Sequence, residues 1–284
     1  MNRRAAVAGA WYSDDPSRLT DELDRYLERA DVPSTSGRAC ALIVPHAGLM
    51  YSGPVAAFAY TLLTRRSLKE GGPYHAVVLV GPSHFVPFDG VSIWSSGAWE
   101  TPLGMVAVAR GLAETIRDEC EAIVELPAAH GREHSLEMQL PFIARLLPGV
   151  PIVPLVMGHQ TRDTAFGLGD AIARALESRL DRVAKRSDVL LVASSDLSHY
   201  EDADVAARMD AVMIRHIEAL DPAGLMTALE EEPRHACGGG PMVSVLHAAR
   251  LLGATEAHVL RYADSGDVSG DKSSVVGYLA AAVF

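Results

Sequence analysis

Three short apolar runs, each followed by a histidine, constrain the fold of this chain more than any other feature. The runs are Ala41–Val44, Ala76–Val80 and Val189–Ala193, and the histidines are His46, His84 and His199. Aliphatic and β-branched runs bounded by turn residues are typical of strands buried on both faces, as in parallel sheets. In open α/β sheets, ligand groups collect just beyond the carboxyl ends of such strands. The repetition therefore predicts that the three histidines meet at one polar site.

Helical and strand patterns alternate along the rest of the chain. An amphipathic helix is predicted at Pro16–Ala30, and an alanine-rich helix at Val55–Thr64 completes a βαβ unit. Further helices are predicted at Gly111–Glu121, Ser135–Leu147, Thr164–Leu180, Val205–Ala219, Pro222–Leu229 and Met242–Leu252. Further strands are predicted at Gly90–Trp94, Met105–Val108, Pro151–Val156, Ala257–Tyr262 and Ser274–Val283, with Pro154 favouring an edge position or an interruption for its strand. This pattern predicts one domain over residues 1–284, a three-layer α/β/α fold with a mainly parallel central sheet.

Composition excludes several classes of protein. The formal net charge is −11 and no block of Lys and Arg compensates it, which argues against nucleic acid or an anionic membrane as a partner. No run approaches the ~18 apolar residues of a membrane span, and the apolar stretch near the N-terminus is too short for a signal peptide. We therefore expect a soluble, cytoplasmic protein. Three widely spaced cysteines without a CxxC pair argue against a disulfide framework or a structural zinc site.

Three further groups could supply chemistry beside the strand-end histidines. His134 lies just ahead of a predicted helix, and Asp196 comes three residues before His199, where it could orient an imidazole or hold a metal-bound water. Cys237 is followed by three glycines, a proline and a helix, so its thiol could be a soft metal ligand or a nucleophile at a helix N-terminus. Cys40 and Cys120 are expected to be buried packing residues.

The segment His130-Gly-Arg-Glu-His134 matches the H-x-x-E-H pattern of some zinc peptidases. That pattern requires one continuous helix that places both histidines on the same face. Pro127 and Gly131 disfavour an established helix here, and Ser135 is expected to cap the helix that follows. The peptidase interpretation is therefore set aside.

Six sequence blocks together resemble the Memo family in order and spacing, and they span nearly the whole chain. The blocks are Trp11-Tyr12, Pro45-His-Ala-Gly48, Gly81-Pro-Ser-His84, Glu133-His-Ser-Leu-Glu137, Ser194-Ser-Asp-Leu-Ser-His199 and the Cys237-Gly loop. The resemblance implies a fold like that of the class III extradiol dioxygenases, which hold non-haem Fe(II) with two histidines and a carboxylate. In bacteria, relatives are often encoded beside a radical-SAM protein, which implies a possible pathway partner.

The resemblance also implies a division of roles within the site. His46, His84 and Cys237 would be the metal ligands, with Asp196 and His199 lining the same site. His134 would take the position of a dioxygenase acid/base histidine. Because a cysteine stands where the dioxygenases have a carboxylate, the site is softer, so copper and zinc compete with Fe(II), the metal we expect first. A thiolate beside activated oxygen is also open to oxidation.

Two classes of function remain open at this point. The first is an oxidoreductase of the extradiol dioxygenase type that acts on a small aromatic substrate such as a catechol, with His134, His199 and Asp196 catalytic. The second is non-catalytic: a metal-handling redox protein, or a scaffold whose cleft binds a peptide. The substrate pocket is predicted to include Trp11, Tyr12, Tyr51, Phe85 and Glu137, and Trp99 would add an aromatic wall for a peptide.

Overall fold

The computed structural model describes residues 1–32, 37–64, 74–178 and 188–284. Within them, the strands are β1 (Ala41–Val44), β2 (Ala76–Pro82), β3 (Val91–Ile93), β4 (Ala98–Thr101), β5 (Gly104–Ala107), β6 (Ile123–Val124), β7 (Ile152–Met157), β8 (Val189–Ser194), β9 (His199–Glu201), β10 (Ala257–Asp264) and β11 (Val275–Val283). The α-helices are α1 (Pro16–Arg29), α2 (Leu49–Tyr60), α3 (Arg110–Asp118), α4 (Pro127–Gly131), α5 (Leu140–Leu146), α6 (Arg162–Glu177), α7 (Ala203–Glu218), α8 (Pro222–Glu231), α9 (Gly239–Leu251) and α10 (Gly266–Ser269).

A mixed sheet forms the centre of the molecule. Its strand order is β10-β11-β1-β8-β2-β7-β3-β6, and β9 pairs with β11. The central strands β1, β8, β2 and β7 are parallel, whereas β11 runs antiparallel to β1 and β10, and β3 runs antiparallel to β7 and parallel to β6. The three strands predicted to end in histidine are therefore adjacent, with β8 between β1 and β2. Their carboxyl ends lie along one edge of the sheet, as predicted.

Helices flank the sheet and give the predicted three-layer α/β/α arrangement. Helix α9 packs on β8, β2 and β1, with α6 and α8 beside it. Helix α2 packs on β11, β10 and β1, and α1 packs on α2 and α5. The amphipathic pattern of α1 places Leu19 and Leu23 in the core, fully buried. Among the described residues, none of the helices combines the length and apolar character that a membrane crossing needs.

Two predicted boundaries were wrong in informative ways. Helix α2 begins at Leu49, so Pro54 lies inside the helix rather than at its start. The helix predicted from Ser135 begins as a single 3₁₀ turn and becomes α-helical only at Leu140. Two residues at the end of the helix predicted to reach Leu180 lie outside the described part of the chain.

Pro154 lies in neither of the two predicted settings, an edge strand or an interrupted strand, because β7 is a continuous strand in the interior of the sheet. Strand β7 runs between β2 and β3, which makes it an interior strand. The carbonyl of Pro154 accepts a hydrogen bond from the Trp94 amide, just after β3 ends at Ile93. Pairing with β3 starts only at Leu155, opposite Ile93. The backbone N–H that proline lacks would therefore lie beyond the end of β3, where the two strands make no further paired hydrogen bonds. For this reason an interior strand tolerates the proline.

The glycines after Cys237 allow α9 to begin close to the end of the sheet. A Cβ atom on Gly238 would lie 2.5 Å from the Ser194 carbonyl oxygen, and one on Gly240 would lie 2.6 Å from the Met157 sulfur. Only glycine fits where a backbone approaches another element this closely. The run Gly238-Gly-Gly240 thus brings the Cys237 loop against the carboxyl ends of β8 and β7.

Candidate metal centre

The predicted histidines line one cavity of about 610 Å³ at the carboxyl edge of the sheet. It is lined by Trp11, His46, Ala47, Gly48, His84, His134, Asp196, His199, Tyr200, Pro233, Arg234, Ala236, Cys237 and Val276. The predicted convergence of His46, His84 and His199 on one cleft is therefore what the fold produces. Asp196, His134 and Cys237 line the same cavity.

His46 is buried at the end of β1 and held on two sides. Its backbone amide donates to the Asp196 carboxylate at 2.7 Å. Its ring Nδ1 lies 3.0 Å from the Ser194 hydroxyl, at the end of β8. Burial, reinforced by the neighbouring rings of His84 and His134, holds the pKa of His46 well below its usual range. The ring is therefore neutral at neutral pH and keeps one nitrogen lone pair.

His84 is oriented by the buried carboxylate of Glu133. The carboxylate accepts from Nδ1 of His84 at 2.9 Å and from its backbone amide at 2.6 Å. Burial raises the pKa of Glu133, but hydrogen bonds from His84 and the charge of its ring outweigh burial and lower the pKa to about 2. Glu133 is therefore an acceptor only, so Nδ1 of His84 carries the proton of this hydrogen bond, and Nε2 is the ring nitrogen left for another partner. This carboxylate–histidine arrangement is typical of metal ligands.

His134 lies between aromatic rings at the mouth of the same cluster. Its ring stacks on His84 with centroids 4.6 Å apart and lies 4.3 Å from the ring of Trp11. Burial lowers the pKa of His134 to about 4, so this ring is also neutral at neutral pH. Among the described residues, no hydrogen-bond partner reaches its buried Nδ1. The nearest oxygen of the Glu133 carboxylate lies 3.6 Å from this Nδ1, so the nitrogen faces a carboxylate without being hydrogen-bonded to it.

Three histidines can offer ligand atoms to a single ion. The ligand atoms of His46, His84 and His134 all lie within 4.8 Å of one another. His134, predicted as an acid/base residue, is thus close enough to the two predicted ligands to act as a third donor. The chemistry of the set fits a transition metal, because neutral imidazole suits iron, copper and zinc.

Cys237 lies on the other side of His46. Its sulfur is 3.2 Å from Nε2 of His46 and accepts a hydrogen bond from the Asp196 amide at 3.3 Å. The side chain of Gln160 braces the loop, because it donates to the Cys237 carbonyl and accepts from the Gly240 amide, each at 2.7 Å. Burial, with the nearby Asp196 carboxylate, raises the pKa of the Cys237 thiol. The helix that follows does not make this cysteine a free thiolate, contrary to one sequence-based alternative.

Asp196 and His199 frame the back and the rim of the cavity. Burial raises the pKa of Asp196 to about 6, against the lowering effect of the hydrogen bond from His46. His199 begins the short strand β9, and its Nδ1 lies 2.8 Å from the Leu197 carbonyl oxygen. Because a carbonyl only accepts, Nδ1 of His199 is the donor, and Nε2 is the ring nitrogen left for another partner beside the cavity.

The predicted aromatic pocket is only partly formed. Trp11 lines the cavity, and Phe85 lies edge-on to His134 with centroids 5.9 Å apart. Tyr51 lies on α2 and is not among the residues that line the cavity. The fully buried Trp99 packs under the guanidinium of Arg3 and is not a cavity wall.

Tyr12 and Glu137 were predicted to contact substrate, and this was wrong. The Glu137 carboxylate is fully buried and accepts from the Tyr12 hydroxyl at 2.8 Å. It also forms an ion pair with Arg3 at 2.7 Å and accepts from the amides of Ala6 and Val7. Both residues therefore anchor the N-terminal segment to the core, which leaves their polar atoms no part in binding a ligand.

The peptidase pattern is excluded by the local structure. Helix α4 is a single short turn that ends at Gly131, so it does not carry both His130 and His134. His130 is fully buried, with Nε2 2.9 Å from the Ser92 hydroxyl, and Glu133 serves His84. The remaining histidines, His75, His159, His216, His235, His247 and His258, do not line the cavity either. Most of them have carboxylate partners, as in His159–Asp89 and His247–Asp170.

Several residues of the site were missed by sequence reasoning. Glu133, Ser194 and Gln139 contact the histidines or their partners, and Tyr200 and Arg234 form part of the rim. Glu133 and Ser194 stand inside the blocks that carry the family resemblance, and that position was the available signal. Gln139 carried no such signal, because its role depends on how an irregular turn meets the ends of β1 and β8.

Comparison with known proteins places the chain in a family. A family model described as Memo-like protein matches residues 3–282. A MEMO1 family protein from Methanothermobacter thermautotrophicus is 41% identical over 98% of this chain and 99% of its own length. A MEMO1 family protein from Sulfolobus acidocaldarius is 41% identical over 98% of both chains, and one from Methanopyrus kandleri is 38% identical over 99% of this chain and 98% of its own. Because the family model and these relatives match nearly the whole chain, including the site described above, the chain belongs to the Memo-like family.

Proposed function

We propose that this protein holds one transition-metal ion through His46 and His84 and uses it to oxidise a small aromatic molecule with O₂. The observation that carries the proposal is the pair of imidazole rings whose Nδ1 atoms are occupied by protein partners, so that the two Nε2 atoms are the ones left for a ligand. Fe(II) is the metal we propose, with copper and zinc as competitors. The likeness to extradiol dioxygenases supports the reaction type.

The third donor would be Cys237 or His134. Cys237 is the ligand that the family resemblance implies, and its sulfur already lies 3.2 Å from Nε2 of His46. His134 has a buried Nδ1 that no described residue engages, and its ligand atom falls within the same cluster. The residues present therefore fit a metal with nitrogen and sulfur ligands. When bound, Fe(II) supplies Lewis acidity and redox chemistry toward O₂.

The chain's own residues would orient the substrate and move its protons. The ring of Trp11 borders the cavity and offers a flat apolar face to an aromatic substrate. His199, with its proton held on Nδ1 by the Leu197 carbonyl, can accept the proton of a substrate hydroxyl at Nε2. Such general-base steps typically contribute about 10²- to 10⁴-fold in rate. Asp196 fixes the His46 backbone and is too engaged there to move freely.

Anaerobic loading with Fe(II), followed by elemental analysis, tests the metal site. We expect one equivalent in the wild type and none in the double variant His46→Ala/His84→Ala. The single variants Cys237→Ser and His134→Ala identify the third donor, because only the ligand should lower the affinity sharply. A double variant that still holds a full equivalent would refute the assignment of both histidines.

Oxygen uptake across a panel of catechols tests the oxidation. We expect uptake by the Fe(II)-loaded wild type and a loss of most turnover in His199→Ala, with metal content nearly intact. Cys237 must be shown to be reduced, because oxidation of this sulfur would itself abolish activity. If the reduced, Fe(II)-loaded protein consumes no oxygen with any catechol, the dioxygenase proposal is abandoned.

One feature favours a second candidate, a redox or metal-handling protein without an organic substrate. The thiol of Cys237 touches His46, so a bound metal and an oxidisable sulfur would share one position. Under this alternative, metal binding survives the first test and oxygen uptake fails in the second.

A peptide-binding scaffold is a further alternative, favoured by the exposed side chains of Trp11, Phe85 and Tyr200, which are 38%, 47% and 76% exposed. It predicts partner binding that does not depend on metal.

A further inference from the structure

The hydroxyl of Ser194 stands at the centre of a closed set of hydrogen bonds behind His46. It lies 2.6 Å from the Ser135 carbonyl oxygen, 2.7 Å from Nε2 of Gln139 and 3.0 Å from Nδ1 of His46. Ser194 is completely buried, so bulk water does not hydrogen-bond to its hydroxyl. A serine hydroxyl has one proton and two acceptor positions, and three neighbours occupy all of them.

The orientation of the Gln139 amide follows from its other contacts. The same end of the amide lies 3.0 Å from the Pro45 carbonyl oxygen, and only an NH₂ group can make a favourable contact there. Its opposite end lies 3.0 Å from the Tyr60 hydroxyl, which donates to Oε1. Gln139 therefore gives one proton to Pro45 and the other to Ser194.

The proton of Ser194 must then go to Ser135. A carbonyl oxygen 2.6 Å away cannot donate, and an O···O contact that short without a proton between the atoms would be repulsive. Ser194 thus accepts from Gln139 and has one acceptor position left. The remaining neighbour, Nδ1 of His46, must fill it as a donor.

We propose that Ser194, oriented by Gln139 and the Ser135 carbonyl, is a positioning residue that holds His46 in the Nδ1–H tautomer and aims a bare Nε2 at the cavity. The thiol of Cys237, 3.2 Å from Nε2, is consistent with a nitrogen that accepts there. The consequence for metal binding rests on the proposed function. The tautomer itself is a property of the metal-free chain.

The two histidines are therefore held by different means. His84 donates to the Glu133 carboxylate, a charge-assisted hydrogen bond, whereas His46 donates to a neutral hydroxyl. A carboxylate partner makes an imidazole a stronger donor toward a metal than a neutral partner does. Of the two proposed ligands, His84 thus has a charged partner at Nδ1 and His46 a neutral one.

Nitrogen-15 NMR on the metal-free protein tests the tautomer directly. Long-range proton–nitrogen correlation spectra at neutral pH should show His46 with a protonated Nδ1 and an unprotonated Nε2, its signals assigned by their loss in His46→Gln. In Ser194→Ala, the lock is removed and the two tautomers should interconvert or reverse. Ser194→Thr restores a hydroxyl and should recover the wild-type pattern. Ser92→Ala is the matched control, because this serine is also fully buried and contacts a histidine, His130, that does not line the cavity.

Competition for Co(II) against a chelating indicator supplies the second readout. Ser194→Ala should bind Co(II) about 10- to 100-fold more weakly, the usual effect of losing a partner behind a ligand, while Ser194→Thr and Ser92→Ala should resemble the wild type. A wild-type His46 protonated on Nε2 would overturn the inference, and so would Ser194→Ala with an unchanged tautomer. If NMR gives the expected tautomer and the wild type binds no Co(II), the inference stands and the proposed metal function falls.

Discussion

At the residue scale, Glu133 ties three parts of the site together through one carboxylate. It accepts from the ring and amide of His84 and from the amides of His134 and Ser135. We expect Glu133→Gln to weaken metal binding about 10- to 100-fold, because an amide cannot supply the negative charge that orients His84. It should also lower the free energy of unfolding by about 1–3 kcal/mol, since buried donors lose their acceptor. Metal titration and urea unfolding measure the two effects.

The control for this variant is Glu125→Gln, at an exposed carboxylate that pairs with Arg117. It should leave metal affinity unchanged and shift stability by no more than about 0.5 kcal/mol. Unaltered metal binding in Glu133→Gln would show that His84 is not a ligand, or that its orientation is set by something other than this carboxylate.

Tyr200 is a second residue whose conformation departs from the ordinary. Its φ is 62°, in the left-handed region, and its side chain is 76% exposed at the rim of the cavity. Asn tolerates this region and a β-branched residue does not. Urea unfolding should therefore give Tyr200→Asn a stability at or above that of the wild type, with Tyr200→Val lower than Tyr200→Asn by at least about 1 kcal/mol. Equal stabilities of the two variants would contradict the prediction, because they would mean that the left-handed backbone at residue 200 does not destabilise the β-branched variant.

At the element scale, the N-terminal segment is held by one buried ion pair. Arg3 is 3% exposed, pairs with Glu137 at 2.7 Å and donates to the His130 carbonyl at 2.7 Å. Glu137 also anchors Tyr12, next to the Trp11 ring that covers His134. We expect Arg3→Ala to destabilise the fold by about 3–5 kcal/mol, because it leaves a buried carboxylate without its cation. Urea unfolding measures the loss.

Arg4→Ala is the matched control, because Arg4 is the exposed neighbour of Arg3 and has the same charge. It should change stability by no more than about 0.5 kcal/mol. Arg3→Lys should recover only part of the loss, since a lysine cannot make the several directed bonds of a guanidinium. A wild-type stability for Arg3→Ala would return Glu137 to the list of candidate substrate contacts.

Sequence reasoning succeeded where an element's pattern depends on burial alone. The apolar runs of β1, β2 and β8 are buried along nearly their whole length, so their composition predicted both the strands and the edge where His46, His84 and His199 meet. It failed where tertiary pairing decides. Pro154 lies in an interior strand because β3 has ended beside it, which no local pattern records.

The same limit explains the errors in the site. Glu137 and Tyr12 stand inside blocks that carry the family resemblance, but only the folded chain shows that they bind each other and Arg3. Gln139 was missed because a buried amide in a 3₁₀ turn has no distinctive sequence signal. Whether a residue is available for binding or has a structural role is decided by contacts between residues far apart in sequence, such as that of Glu133 with His84.

At the scale of the whole molecule, the candidate centre joins segments that are far apart in the chain. His46 follows β1, His84 follows β2, His134 precedes the 3₁₀ turn and Cys237 precedes α9. An ion bound by such residues binds the folded state and not an extended chain. A ligand of this kind raises the free energy of unfolding by about 2.7 kcal/mol when its free concentration is a hundred times its Kd. Metal loading should therefore stabilise the entire domain, not only the cavity.

Urea unfolding with and without Zn(II), a redox-inert probe, measures this coupling. The wild-type midpoint should rise with Zn(II) and return to the metal-free value when a chelator is added. The double variant His46→Ala/His84→Ala should show no rise, because its unfolding no longer releases an ion. His258→Ala is the matched control, since this histidine is exposed on β10 and pairs with Glu256, so it should keep the full wild-type shift. If Zn(II) stabilises the double variant as much as the wild type, the stabilising ion binds elsewhere, and the cavity at the strand ends is not the metal centre.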